Sequence, residues 1–334
     1  MMPTINDVAK EAGVSISTVS RVLNNNYPVK EETRIKIEKA IEKLNYKPNM
    51  LARSLITKKT STIGVIVPGI TNLFFPTIVE SIEDYSKDQG YSIVLCNTRG
   101  EALKEKEIIE NLMSKGVDGI IIIDPTIDNL KNKYLEDVSM KLPIIIINGS
   151  PEGIKGNFIC YDEKVGTLEA FQYLLKLGHK EIAFIRGSKS YSYDIKEKIY
   201  IDIIEKNNLN YKEILDVGKG NSIEVVENTQ KKVEELLLKK NKPTAIFACN
   251  DLMALGSVNA CNKLNLNVPY DISIIGFDNT LISNITHPKL TTVDLNMEEI
   301  GNIAALKLLE IIEDKNKSIK YTMETKLIVR ESCY

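Results

Sequence analysis

At 334 residues the chain is long enough for two or three compact units, each burying a core of its own. Hydrophobic residues make up 43% and charged residues 26%, values that exclude a disordered or fibrous chain, and no run approaches the roughly 18 apolar residues of a membrane span. The net charge of −2 hides an asymmetry: residues 1–60 carry 11 Lys and Arg against 6 Asp and Glu, a net +5, which leaves −7 on the remaining 274 residues and points to a polyanionic partner for the head alone.

The chain starts MMPTINDVAK, without the apolar stretch and small-residue cleavage site of a secretory signal, so a cytoplasmic location is expected. The five cysteines, at 96, 160, 249, 261 and 333, are scattered and odd in number, which reads as isolated buried thiols in a reducing compartment. In the head, Thr4 followed by Asp7 is a capping-box variant that starts a helix over about 5–11. Gly13 breaks it, Ser15 can cap a second helix to about 23, and Asn24, Asn25 and Asn26 end that one. A third helix covers EETRIKIEKAIEKLNY, with Ile35, Ile37, Ala40, Ile41 and Leu44 near helical spacing. Pro48 then forbids continuation, and a short segment leads into a basic, Thr-rich linker.

From Thr62 the texture changes to short β-branched runs: TIGVIVPG, YSIVLCNT, DGIIIIDP, PIIIING, EIAFIRG, TAIFACND and DISIIGFDN. Amphipathic stretches of helical length separate them, at 75–89, 102–115, 163–177, 222–239 and 252–264. Apolar strands alternating with helices predict parallel sheets covered on both faces. Seven strands are more than one lobe holds, so two doubly wound lobes are expected, with a boundary near Tyr161 and Asp162 and a crossing back near 291–296. Several strands end in a polar residue: Asn97, Asp124, Asn148, Asp162, Arg186, Asn250 with Asp251, and Asp278 with Asn279. That edge is where ligands sit in open α/β sheets, and such a lining suits a hydroxyl-rich small molecule. Each of these residues could equally cap a helix or start a turn.

The residues of NDVAKEAGVSISTVSRVLN fit a helix-turn-helix. Ala9 permits close helix approach, Gly13 makes the turn, and Val19 with Leu23 bury the back of the second helix. Ser15, Ile16, Ser17, Thr18, Ser20 and Arg21 are left on the outside. Short hydroxyls donate to phosphate oxygens without holding a helix off the duplex. Arg21 can fork onto guanine and Ile16 can meet a thymine methyl. No acid shares this face; the last one before it is Glu11.

These residues, with EETR, NYKPNMLARSL, KKTSTIGVIVP, ITNLFFP, VDGIII, LGHKEIAFI, PTAIFACNDLMALG, DISIIGFDN, LTTV and LIVRESC, resemble the lactose/galactose repressor (LacI/GalR) family along nearly the whole chain. The resemblance implies an all-α helix-turn-helix head (1–47), a hinge helix and linker (48–60), and an α/β periplasmic-binding-protein-like core of two doubly wound parallel-sheet lobes for effector binding and dimerisation (61–334). Lobe one would take about 61–161 plus a crossing segment near 294–320, and lobe two about 162–290 plus 321–334. It implies a ligand-responsive repressor of sugar or carbon metabolism genes that reads a pseudo-palindromic operator as a homodimer. Its DNA contacts would be Thr4, Ser15, Ile16, Ser17, Thr18, Ser20, Arg21 and Asn24 in the head, and Asn49, Ala52, Arg53 and Leu55 in the hinge, with Leu55 as a minor-groove wedge. Its effector contacts would be Asn72, Phe74, Asn97, Asp162, Lys196, Asn250 and Asp278, around a sugar or sugar phosphate. Departures accompany the matches: Lys196 and Ile199 stand where the family usually carries Arg and Gly, and Lys does not reproduce the Arg fork. An atypical ligand, or a phosphocarrier-type protein co-regulator, is therefore also open. The first loop lacks an acid at Gly69 and a Pro at Leu73, and Lys30 replaces a capping Ser.

No enzyme signature competes. His179 and His287 lie far apart, GKGNS at 218–222 lacks the ending of a phosphate loop, and no metal-ligand cluster or cofactor motif is present in the sequence. The remaining rival is a cytosolic solute-binding module whose head serves only in assembly.

Overall fold

The computed structural model describes residues 3–24, 27–47, 59–148, 154–188, 190–314 and 317–334. It divides into two compact units, Met1–Thr60 and Ser61–Tyr334.

The first unit contains α1 (Ile5–Ala12), α2 (Ile16–Asn24) and α3 (Glu31–Leu44). At its start the Thr4 backbone N–H donates to Asp7 Oδ2 at 2.7 Å and the Thr4 hydroxyl donates to the same oxygen at 2.8 Å. These bonds hold the Asp7 carboxyl below its ordinary range. Gly13 closes α1 in the left-handed region (φ 65°), where a Cβ would be strained, and turns the chain toward α2. Val8, Ala9, Val19, Val22, Ile37 and Ala40 form the core, packed on by Leu23 and Ile41. Ile35, expected inside, is 43% exposed. Two positions apart on a helix cannot share a face, and Ile37 holds the buried one. Lys30 precedes α3 with no side-chain cap, as its side chain dictates.

The second unit holds two six-stranded sheets. Lobe one contains β1 (Thr62–Val67), α4 (Phe74–Asp88), β2 (Ser92–Asn97), α5 (Ala102–Ser114), β3 (Gly119–Ile123), α6 (Ile127–Lys131), α7 (Tyr134–Ser139), β4 (Ile144–Ile147) and β5 (Phe158–Tyr161). Lobe two continues with α8 (Glu163–Lys176), β6 (Ile182–Arg186), α9 (Tyr191–Lys206), β7 (Glu213–Asp216), α10 (Glu224–Leu237), β8 (Ala245–Ala248), α11 (Asp251–Lys263), β9 (Ser273–Asp278), α12 (Leu281–Ile285) and β10 (Thr291–Asp294). The chain then returns to lobe one with α13 (Met297–Glu313) and β11 (Lys320–Met323), and ends in lobe two with β12 (Lys326–Ile328).

The lobe-one sheet runs β11-β5-β4-β3-β1-β2, all parallel, and the lobe-two sheet β12-β10-β9-β8-β6-β7, parallel except for β12 on β10. The Ile-rich runs form these strands because β-branched side chains pack well on a pleat buried from both sides. Alternate residues divide between faces: Ile121, Ile123, Ile145 and Ile147 join the large core, and Ile120, Ile122, Ile144 and Ile146 the opposite one. In lobe two, Phe171, Phe184, Tyr200 and Phe247 stack, with Phe184 and Phe247 within 3° of parallel. Each such buried ring contributes about 1.5–3 kcal/mol. Crossings between lobes fall at Asp162, at 295–296 and at 324–325. Residues 321–323, expected in lobe two, pair with β5 of lobe one, so the last crossing comes later in the chain.

Candidate functional site

Two regions collect polar side chains that neither core explains. The first is the α2 face of the head. Ser15 precedes α2, and its Oγ accepts from the Thr18 backbone N–H at 3.2 Å. Its hydroxyl also lies 2.8 Å from the hydroxyls of Ser17 and Thr18, so the three form one bonded cluster at the helix N-terminus. Ile16, at 49% exposure, Ser17 and Arg21 face outward, while Thr18 and Ser20 are half-buried. That narrows the outward set to fewer residues than the sequence suggested. The Arg21 guanidinium carbon lies 5.4 Å from the centroid of the exposed Tyr27 ring, a partner no sequence argument had supplied. An aromatic in the otherwise polar NNNYP turn was the available signal. Glu11, the nearest acid in sequence, is paired with Lys43 at 2.6 Å. Thr4 belongs to the α1 cap, and Asn24 is the last residue of α2. Asn49, Ala52, Arg53 and Leu55 lie outside the described residues, as does most of the expected hinge helix.

The second region is the cleft between the two lobes of the core, at the carboxyl ends of both sheets. Its inner part holds about 30 Å³ of free space, room for a water or two, and opens to an outer cleft of about 990 Å³. Five of the seven expected effector residues meet at the inner part: Asn72, Phe74, Lys196, Asn250 and Asp278. Asn72, in the loop after β1, accepts from the Phe74 N–H at 3.2 Å and donates across the cleft to Asn221 Oδ1 at 3.3 Å. Phe74 opens α4 and meets Phe75 edge-on at 5.0 Å between centroids. Asn250 caps α11 through the Met253 N–H at 2.9 Å and also donates to the Gly220 carbonyl at 2.9 Å.

The remaining two stand elsewhere. Asn97 lines the outer cleft, where its side chain accepts from the Arg99 N–H at 2.9 Å and shapes a turn. Asp162 is not among the lining residues; its carboxylate caps α8 through the Val165 N–H at 3.3 Å. Its neighbour Glu163 takes the place at the cleft. Asp is a strong N-cap residue and Glu is not, so of two adjacent acids the first becomes the cap. Asp124 and Asn148, read as strand ends in the sequence, also line the inner space, with Asn148 donating to Asp124 at 3.3 Å. Ser192, Tyr193 and Asn221 were not foreseen.

Lys196 is 2% exposed. Its Nζ donates to Ser192 Oγ at 2.8 Å, lies 3.8 Å from Glu163 Oε1 and sits 3.7 Å from the centroid of Phe277. Ser192 in turn donates to Glu163 Oε1 at 2.8 Å. Burial pushes Asp124 up to about 7, helped by Glu163 and opposed by Lys196. Burial also lifts Asp278 well above the carboxylate range, against the pull of Lys196. Behind it Asp251, held by the Thr280 N–H at 2.7 Å and the Thr292 hydroxyl at 2.7 Å, is pushed up to about 6, again by burial. Arg186 is consumed by Asp194 at 2.6 Å and by Glu197.

His179 is fixed by Thr244 and Ser273, each at 3.0 Å from a ring nitrogen. Burial raises all five thiols, so none is an activated nucleophile. Among the described residues there is no cluster of His, Cys, Asp and Glu able to hold a metal ion, and no helix long and apolar enough to cross a membrane.

A helical DNA-reading head joined to a two-lobed ligand-binding core defines a ligand-responsive transcription regulator. Residues 4–49 match the bacterial regulatory proteins of the lacI family, and residues 171–333 match the periplasmic binding protein-like domain. Catabolite control protein A of Priestia megaterium is 37% identical over 311 residues, 91% of each chain. The transcriptional repressor PurR of Aliivibrio salmonicida is 34% identical over 337 residues, 100% of this chain and 99% of its own. The crystal structure of the Lac repressor dimer bound to operator and the anti-inducer ONPF superposes with a TM-score of 0.88 at 28% identity, covering 99% of both chains. The chain belongs to the LacI family of DNA-binding transcription regulators and is not an enzyme.

Proposed function

We propose that the protein is a cytoplasmic repressor that binds a pseudo-palindromic operator as a homodimer and whose affinity is set by a small polyhydroxylated effector in the cleft. The observation that carries this reading is the α2 face, where Ile16, Ser17 and Arg21 stand outward and the nearest acid in sequence, Glu11, is tied to Lys43. A close-approach surface free of negative charge is what a phosphate backbone demands. Dimerisation is supported by a mainly apolar groove on lobe one lined by Val67, Ile70, Phe75, Val79 and Leu95 with Glu80 beside them, in which Ile70 and Leu95 remain 53% and 45% exposed. The Lac repressor that this chain superposes on is itself dimeric and bound to operator.

For the effector, the inner cleft favours a sugar over a sugar phosphate, because its one ammonium among the described residues, Lys196, already faces Glu163 and leaves none to answer a phosphate. A protein co-regulator of the phosphocarrier type is the second reading, favoured by one observation: the inner cleft, with Lys196 in its wall, leaves only about 30 Å³. The test of the main reading selects operator fragments from a random-sequence pool and measures binding across a salt series. Affinity should fall linearly on a log–log plot. Arg21→Ala should cost about 1–3 kcal/mol, by an amount that depends on the operator sequence. Absence of any selected sequence, or of salt dependence, would leave the head as an assembly module and refute the reading.

A further inference from the structure

The inner cleft holds more carboxyl groups than its one buried cation can pair. Asp124, Glu163 and Asp278 border the same space as Lys196. Lys196 is committed to the lobe-two wall, donating to Ser192 at 2.8 Å and to the Cys249 carbonyl at 3.5 Å with its ammonium over the Phe277 ring; it faces Glu163 at 3.8 Å, and burial leaves Asp124 and Asp278 raised until a second cation draws their protons off. Two buried acceptors are left over. Glu163, at 4% exposure, has Oε1 engaged by Ser192 while Oε2 has no partner. Tyr161, at 6% exposure, has an unpartnered hydroxyl, and its ring lies 6.0 Å from that of Phe74 at the cleft wall. Tyr161 does not itself line the inner space, but it packs against Phe74, which does. Buried acceptors without donors cost free energy that a donor-bearing guest would recover.

The chemistry of the guest follows from what surrounds these acceptors. The acids do not assemble into a metal-holding set among the described residues, so a bare divalent cation is not matched. The aromatic faces already stabilise one ammonium, as the 3.7 Å approach of Lys196 to Phe277 shows. The amides of Asn72, Asn148, Asn221 and Asn250 supply donors and acceptors for hydroxyls. Resting on the reading of this cleft as the effector site, we propose that the effector carries a primary ammonium on a small hydroxylated body, an amino sugar or amino polyol, with the ammonium answering Glu163 and the remaining cleft carboxylates.

The test uses the full chain and titration calorimetry with glucosamine, galactosamine, mannosamine and 1-amino-1-deoxysorbitol. Each is set against its parent sugar or polyol, its N-acetyl derivative and the 6-phosphate of the amine-free parent. At least one amine should bind about tenfold more tightly than its uncharged counterparts, the difference expected of one partly desolvated ion pair. That difference should shrink below about threefold in Glu163→Gln, and Tyr161→Phe should weaken the amine without lowering the thermal midpoint of the free protein, since it removes only an unpaired hydroxyl. If no amine binds, or if a parent sugar or a 6-phosphate binds as tightly as its amine, the ammonium class is overturned while the cleft can stand as the effector site. If an amine binds with affinity indifferent to Glu163→Gln, Tyr161→Phe and Asp278→Asn, the site lies elsewhere and both readings fall.

Discussion

Asp124 offers a direct measurement of what the acidic cleft costs. Its carboxyl ends β3 with a left-handed backbone (φ 51°), accepts from Asn148, and is pushed from 3.8 to about 7 chiefly by burial. A carboxyl whose folded pKa lies above its unfolded value destabilises the fold as pH rises between the two. In that window the folded chain holds the proton and the unfolded chain has released it. At about 1.36 kcal/mol per pKa unit, the deficit relative to a permanently neutral side chain is roughly 1.5 kcal/mol at pH 5 and up to about 4 kcal/mol at pH 8. Asp124→Asn keeps an oxygen to accept from Asn148 and removes the ionisation. Urea unfolding of both proteins across pH 5–8 should show the variant gaining on the wild type by roughly 2–3 kcal/mol as pH rises, most of it below about pH 7. A stability difference that stays flat across that range would refute the burial argument. A difference that shrinks as pH rises would show that Lys196 outweighs burial and holds Asp124 ionised.

Two further outcomes test the packing and the assembly. A Cβ at Gly301 on α13 would lie 2.7 Å from the Ile78 carbonyl oxygen of α4, a backbone atom that cannot step aside. Gly301→Ala should therefore cost about 1–3 kcal/mol by forcing the helices apart, read as a lowered urea midpoint; an unchanged midpoint would show that the pair slides freely. Leu95 on β2, 45% exposed beside the lobe-one groove, is the position where a charge should prevent self-association. Leu95→Asp should shift the sedimentation coefficient from dimer to monomer while the circular dichroism spectrum is kept, and a variant that remains dimeric would move the interface elsewhere.

Much of the fold was legible because its strands are apolar on both faces. β1, β3, β4, β8 and β9 stand out as β-branched or apolar runs, and their helices follow at regular intervals. β7, β11 and β12 were not foreseen; their short segments EILD, KYTM and KLI carry charge and sit at or next to sheet edges where one face meets water. In the cleft, residue type was readable but orientation was not. Asp162 and Glu163 are adjacent acids, and only the capping geometry decides that the second one faces the inner cleft. Lys196 could have been found by periodicity alone, since Ser192, Tyr193, Lys196, Ile199, Tyr200 and Ile203 form one buried stripe of α9 in which a lysine is out of place. Tyr161 gave no such signal, for a tyrosine ending an apolar strand reads as ordinary core.

The three crossings between the lobes also determine what kind of machine the core is. Two of them are fastened together: Thr325 donates to the Asp162 carbonyl at 2.7 Å and accepts from the Gly166 N–H at 2.9 Å. The third passes through Asn296, whose backbone sits in the left-handed region (φ 48°) just ahead of α13. A body attached through one flexible strand can tumble, and through two can swing like a gate. Attachment through three, two of them bolted to each other, restricts how the lobes can shift against one another far more than a single linker would, so any change of the angle between them has to be taken up at these few crossing residues.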